Sequence, residues 1–180
     1  MYRRTGVIGL AAALMLTPAG CHSGGPKGGG VSASPAPPVS VSLAPSAAGE
    51  RDALAAYRGM WDAFVDAAKT SDPDAPQLRQ YATDNALKLI VGDLYTNRAR
   101  QKVILGDLKI DPKVTAATPA EAPTEASIVD CVNDENWLEY KKSGGLVDHN
   151  PGGRHKTTAT VKLTAAGWKV TRFVVGDASC

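Results

Sequence analysis

The sequence has no apolar run long enough to span a bilayer of about 30 Å, which takes about twenty residues. The run near its N-terminus, Val7 to Leu16 (VIGLAAALML), is far shorter. A basic stripe is also missing, so nucleic acid is not an expected partner. All 18 acidic residues lie from Glu50 onward, beside 17 of the 20 Lys and Arg, which leaves that stretch at −1. The formal +2 of the whole chain comes from Arg3, Arg4 and Lys27. GGPKGGG (24–30) has no preceding strand, no GK[ST] ending and no following helix, so it is not a phosphate loop. Asp130, Asp134 and Glu135 lack the spacing and central glycine of a calcium loop. Cysteine is scarce, at three residues, and neither Cys131 nor Cys180 has a histidine or basic neighbour that would activate a catalytic thiol. No metal and no cofactor are expected.

What is present sorts into three stretches. Residues 1–20 read as a secretory signal peptide, with Arg3 and Arg4 ahead of the short apolar core. Ala19-Gly20-Cys21 resembles the lipobox of bacterial lipoproteins, with Pro18 standing where an aliphatic residue is usual. That resemblance implies a diacylglycerol on the Cys21 sulfur. The alternative is plain secretion, with the cut after Thr17-Pro18-Ala19, which would leave Cys21 as an exposed thiol. Lipid attachment instead leaves an even pair of cysteines for the folded part. Two acyl chains would anchor the protein stably, where one chain alone holds only marginally. Residues 21–49 are almost all Gly, Ser, Pro and Ala, a composition that cannot bury enough apolar surface to fold and that predicts a tether. As a flexible coil its mean span is about 30 Å.

The remaining 130 or so residues, 50–180, suffice for one domain. Glu50 to Thr70 is amphipathic at helical spacing, with Leu54, Tyr57, Trp61, Phe64 and Ala68 on one stripe. Ser71-Asp72-Pro73 stops it. Gln77 to Tyr81 begins a second helical piece. A third, from about Asp84, carries Leu87, Ile90, Val91, Leu94 and Tyr95 on one face. Strand patterns follow: Val103 to Ile110, Ala126 to Val132, Trp137 to Tyr140, and a closing hairpin of Thr158 to Thr164 with Trp168 to Val175. Strands this close, without helices between them, predict an antiparallel sheet. The fold class is α+β, with N-terminal helices packed on one face of a curved antiparallel sheet.

The order of elements resembles the NTF2-like cone fold, and more narrowly the secreted lipoproteins of actinobacteria that carry this domain behind a Gly/Pro/Ser tether. It runs from a long helix with Tyr57 and Trp61 through a bent strand and a strand with Asp130-Cys131. A Trp-started hairpin and the final TATVKLTAAGWKVTRFVV hairpin complete it. Export and the even count predict a disulfide between Cys131 and Cys180. The reading that follows is a lipid-anchored, extracytoplasmic module without catalysis. Its cone would bind a protein partner of the envelope or a small apolar ligand, lined by Tyr57, Trp61 and Tyr81, with Trp137 and Trp168 as further aromatics that could line it. One alternative is an exported enzyme like the SnoaL cyclases and ketosteroid isomerases, with Asp62, Asp66, Asp93 or Asp130 as the candidate buried carboxylate. Another is an accessory part of an envelope secretion or transport complex. His149 and His155, with Asp148, flank a Gly-rich turn and are expected as exposed loop histidines.

Overall fold

A computed structural model of the chain describes residues 44–177 and 179–180. The signal peptide, Cys21 and most of the expected tether lie outside the described residues. The first helix, α1 (Pro45–Ala68), begins five residues ahead of the expected Glu50. Pro45 opens it, a position where the missing N–H costs nothing, and Ser46-Ala47-Ala48 carries the first turn onward. Its buried residues, among them Ala53, Tyr57, Met60, Trp61 and Phe64, recur at three- and four-residue steps. Ser71 follows in the left-handed region (φ 51°), and its buried hydroxyl donates to the Lys102 carbonyl at 2.6 Å, tying the end of the helix to the sheet.

A single turn, α2 (Leu78–Tyr81), leads to α3 (Asp84–Ala99). The core face of α3 is Ala86, Ile90, Leu94 and Asn97. Tyr95, expected on that face, is 67% exposed, because the stripe that meets the sheet runs one residue earlier in each turn. Among the described residues no helix is long and apolar enough to cross a membrane.

Five strands follow: β1 (Lys102–Lys109), β2 (Lys113–Thr118), β3 (Glu125–Lys141), β4 (Arg154–Thr164) and β5 (Gly167–Val175). All ladders between them are antiparallel. The long β3 organises the sheet. Along one side its first part pairs with β2 and its second with β1, while β4 takes the other side of the first part and β5 lies beyond β4. Register shifts at Asp107/Lys109, Val114/Ala116 and Thr160/Val161 bend the strands. Helices on one face of a curved antiparallel sheet are the α+β cone plan that the sequence predicts.

Two strand expectations need correction. Ala126 to Val132 and Trp137 to Tyr140 are parts of one strand, so Trp137 opens no hairpin and sits mid-strand opposite Gly106. The polar stretch Asn133 to Asn136 lies between the two expected strands, yet β1 supplies its ladder partners, and the Asn133 side chain accepts the Glu135 N–H at 2.9 Å. Lys113 to Thr118, beyond the Asp111-Pro112 break, forms a strand of its own that the sequence pattern does not announce, because β3 offers it an edge. The closing hairpin forms as predicted, with Thr164 opposite Gly167.

The core lies between α1 and the sheet, where Ile128, Val132, Val161, Val170 and Phe173 meet the helix stripe. At the far end the Cys131–Cys180 disulfide is present, with Cα atoms 5.9 Å apart. It closes a separation of 49 residues and pins the C-terminus to β3.

Candidate functional site

Between α3 and the concave side of the sheet opens a cleft of about 840 Å³. That volume falls within the range of pockets for small organic ligands. Aromatic side chains form much of its wall: Trp61 and Phe64 from α1, Trp137 from β3 and Phe173 from β5. They interlock. Trp61 stacks near Phe64 with centroids 6.1 Å apart and meets Phe173 edge-on at 5.6 Å, and Phe64 meets Trp137 edge-on at 5.1 Å. Ile90, Ile104 and Val132 continue the apolar surface, and half-exposed Leu89, Val174 and Val175 form a greasy lip. Buried donors without a hydrogen-bond partner are costly. Among the described residues the Trp61 and Trp137 indole N–H groups are two such donors.

Polar groups enter this wall at few places. Asp93 of α3 is open to solvent through the cleft, but the surrounding walls strip enough water to raise its pKa, and the charge of Glu139 adds to the rise. Its Oδ2 accepts a hydrogen bond from buried Asn97 at 3.0 Å. Glu139 itself is paired with Lys102 at 2.5 Å. On the sheet side, Asp134 of β3 and His155 of β4 face each other, Oδ1 to Nε2 at 3.5 Å, with each side chain about one-third exposed. The Gly153 N–H donates to Asp134 Oδ1 at 2.6 Å. Gly152 keeps that carboxylate in place, since a Cβ there would come within 2.0 Å of Asp134 Oδ1.

A second polar pair lies in the core, away from the cleft lining. The Tyr57 hydroxyl donates to Asp130 Oδ2 at 3.0 Å, and the Asp111 N–H donates to Asp130 Oδ1 at 2.7 Å. Both side chains are almost fully buried. Burial pushes the Tyr57 pKa well up, and the Asp130 charge and hydrogen bond push it further. The Trp61 indole is near enough to oppose this rise, yet it makes no hydrogen bond of acceptable geometry.

Of the aromatics expected at a pocket, Trp61 and Trp137 line this cleft and Trp168 is not part of its wall, whereas Tyr57 is turned into the core toward Asp130. Tyr81 packs against Gly59, where an added Cβ would fall 2.6 Å from its ring. Among the candidate carboxylates Asp93 lines the cleft and Asp130 is fully engaged in the core. Asp62 and Asp66 border a smaller recess with Asp107 and are exposed. His149 is exposed, but His155 belongs to the cleft wall, not to an exposed loop. The Asp134–His155 pair and the wall residue Phe173 carry no site signal in the sequence. The β3–β4 register, which sets Asn133 opposite Arg154 and Val132 opposite His155, is what brings the pair together.

No protein-family model matches the chain, and no curated protein is significantly similar to it in sequence. The chain is similar to several solved structures. A protein from Novosphingobium aromaticivorans described as a candidate aromatic ring hydroxylase is 20% identical, covering 70% of this chain and 88% of its own, at a TM-score of 0.48. An NTF2-like protein with a cystatin-like fold from the same organism is 16% identical over 72% of this chain and 85% of its own, at 0.43. The intermembrane-space region of the chloroplast protein ARC6 is 17% identical over 72% of this chain and 97% of its own, also at 0.43.

Proposed function

We propose that the protein is an extracytoplasmic binding module, tied to the membrane by a lipid on Cys21, whose cone cleft takes a small, largely apolar ligand. The observation that carries this reading is the cleft of about 840 Å³ walled by four interlocked aromatic side chains. The Cys131–Cys180 disulfide supports a place outside the cytoplasm, where such bonds persist. Leu89 lies half-exposed on the cleft lip, so Leu89→Trp fills the opening without touching the core. A thermal-shift screen of steroid-like and polyketide-like compounds should give ligands that stabilise the protein and lose their effect in Leu89→Trp. If the variant responds like the parent, or no compound stabilises either, the reading fails. For the anchor, mass spectrometry of the mature N-terminus should find an acylated Cys21; an unacylated Gly20 start would refute it.

A second reading has its own observation. Asp93, with its raised pKa, and the Asp134–His155 pair line one cleft, which is the equipment of a general acid and base. An acid/base enzyme would convert the cleft ligand and lose turnover in His155→Gln while still binding it. A binding module would return every ligand unchanged.

A further inference from the structure

We infer that the Cys131–Cys180 bridge is a site of thiol–disulfide exchange, opened by a thiol at Cys180 and poised by two cations beside Cys131. No basic residue neighbours Cys131 in the sequence, but the β3–β4 ladder supplies two. Lys156 stands directly opposite Cys131, and Arg154 is one diagonal step away. Buried Asp130 and Val132 on either side of Cys131 turn its sulfur to the outer face of the sheet, away from the cleft wall. There the Arg154 guanidinium aims Nε and Nη2 at the sulfur, at 3.4 and 3.3 Å. Neither Arg154 nor Lys156 joins an ion pair among the described residues.

The two redox states use these cations differently. A bridged sulfur is a weak acceptor, so two N–H groups pointed at it gain little. A Cys131 thiolate is a full anion, and the same groups then make charged hydrogen bonds, with Lys156 adding its field. The reduced form is stabilised, and so is the transition state in which Cys131 is the leaving group. Exposure selects the other sulfur for attack, since Cys180 is open to solvent and Cys131 is half-buried. An incoming thiolate bonds to the Cys180 sulfur as the S–S bond breaks, and the electron pair leaves on Cys131. A second thiolate attacks the sulfur of the first, and Cys180 leaves and takes a proton from water. Two thiols are thus oxidised to one disulfide while the bridge is reduced by two electrons. The β4–β5 ladder reaches Val175, and the Gly176 N–H donates to the Lys156 carbonyl at 2.9 Å, so the sheet keeps its last strand when the bridge opens.

The test uses the full chain with Cys21→Ser, which leaves Cys131 and Cys180 as its only cysteines. Native protein treated with 2-mercaptoethanol at pH 8 and quenched with acid should carry the adduct on Cys180, with Cys131 free, by peptide mass spectrometry. Equilibrium with dithiothreitol then reads the thiolate alone, apart from any steering of the attacking thiol. There Arg154→Gln combined with Lys156→Gln should lower the ratio of reduced to bridged protein about tenfold, and Arg154→Gln alone about threefold. Arg154→Lys, which keeps the charge, should recover part of the loss. Both positions are exposed, so the bridged variants should melt as the parent does. An adduct on Cys131, a ratio unchanged in both Gln variants, or a bridge that yields only when the domain unfolds would overturn the inference.

Discussion

Replacing Tyr57 with phenylalanine removes one oxygen from the core and should cost the domain about 2–3 kcal/mol. The Asp130 carboxyl is 3% exposed and receives two hydrogen bonds, from the Tyr57 hydroxyl at 3.0 Å and from the Asp111 N–H at 2.7 Å. Hydrogen bonds to charged groups are each worth about 1.5–3 kcal/mol net, and a buried carboxylate that loses one has no water to replace it. For a domain of this size that is a fall in Tm of about 8–12 °C. The ring itself stays, so packing changes little. The measurement is urea unfolding of parent and variant, followed by tryptophan fluorescence, with thermal melts beside it. The same variant has a signature in alkali. The folded state holds the Tyr57 proton more tightly than the unfolded chain does, so this contribution is intact below about pH 10 and is lost as the pH rises above it. Parent stability should therefore fall more steeply above pH 10 than that of Tyr57→Phe. A cost under about 0.5 kcal/mol, or an unchanged alkaline fall, would refute the claim that this pair anchors α1 to the sheet.

Two further outcomes test the scaffold. Replacing Cys131 and Cys180 together with serine should cost at most about 4 kcal/mol, the chain-entropy figure for closing about fifty residues. Equilibrium unfolding of the double variant measures it, and a cost near zero would mean that the terminus is held by other contacts. Gly106→Ala should unfold or severely weaken the domain, because Gly106 has φ +106° and an added Cβ would fall 1.8 Å from the Asn136 carbonyl oxygen. Circular dichroism of that variant showing native melting would contradict this close approach of the two strands.

Local patterns make much of this architecture readable. The α1 stripe, the third helix and the closing hairpin each bury residues at a spacing that a short window reveals, and the cysteine pair follows from export and parity. Misreadings fall where a partner strand overrides local preference. Asn133-Asp134-Glu135-Asn136 has the composition of a turn, and only the presence of β1 alongside makes it strand. Lys113 to Thr118 has small or short side chains at several of its positions and gains its strand state from β3. The site is harder still to read. Periodicity marks Tyr57, Trp61 and Tyr81 as inward-leaning, but only the placement of the sheet decides which of them faces open space and which faces a buried carboxyl.

One irregularity joins the misread strand to the unmarked cleft. Between Asp107 and Lys109 of β1 the chain advances two residues, while β3 passes three between Asn136 and Asn133. An extra residue in one strand resets the alternation of faces beyond it. Without it, Val132 and Asp134 would share a face with Asn136, and Trp137 would point away. With it, Val132, Asp134 and Trp137 all line the cleft. Gly106, directly opposite Trp137, leaves the room that this crossing requires. The polar run that looks like a turn is thus the place where β3 changes face. It is also where the cleft acquires one of its two acidic groups, Asp134, and one of its aromatic walls.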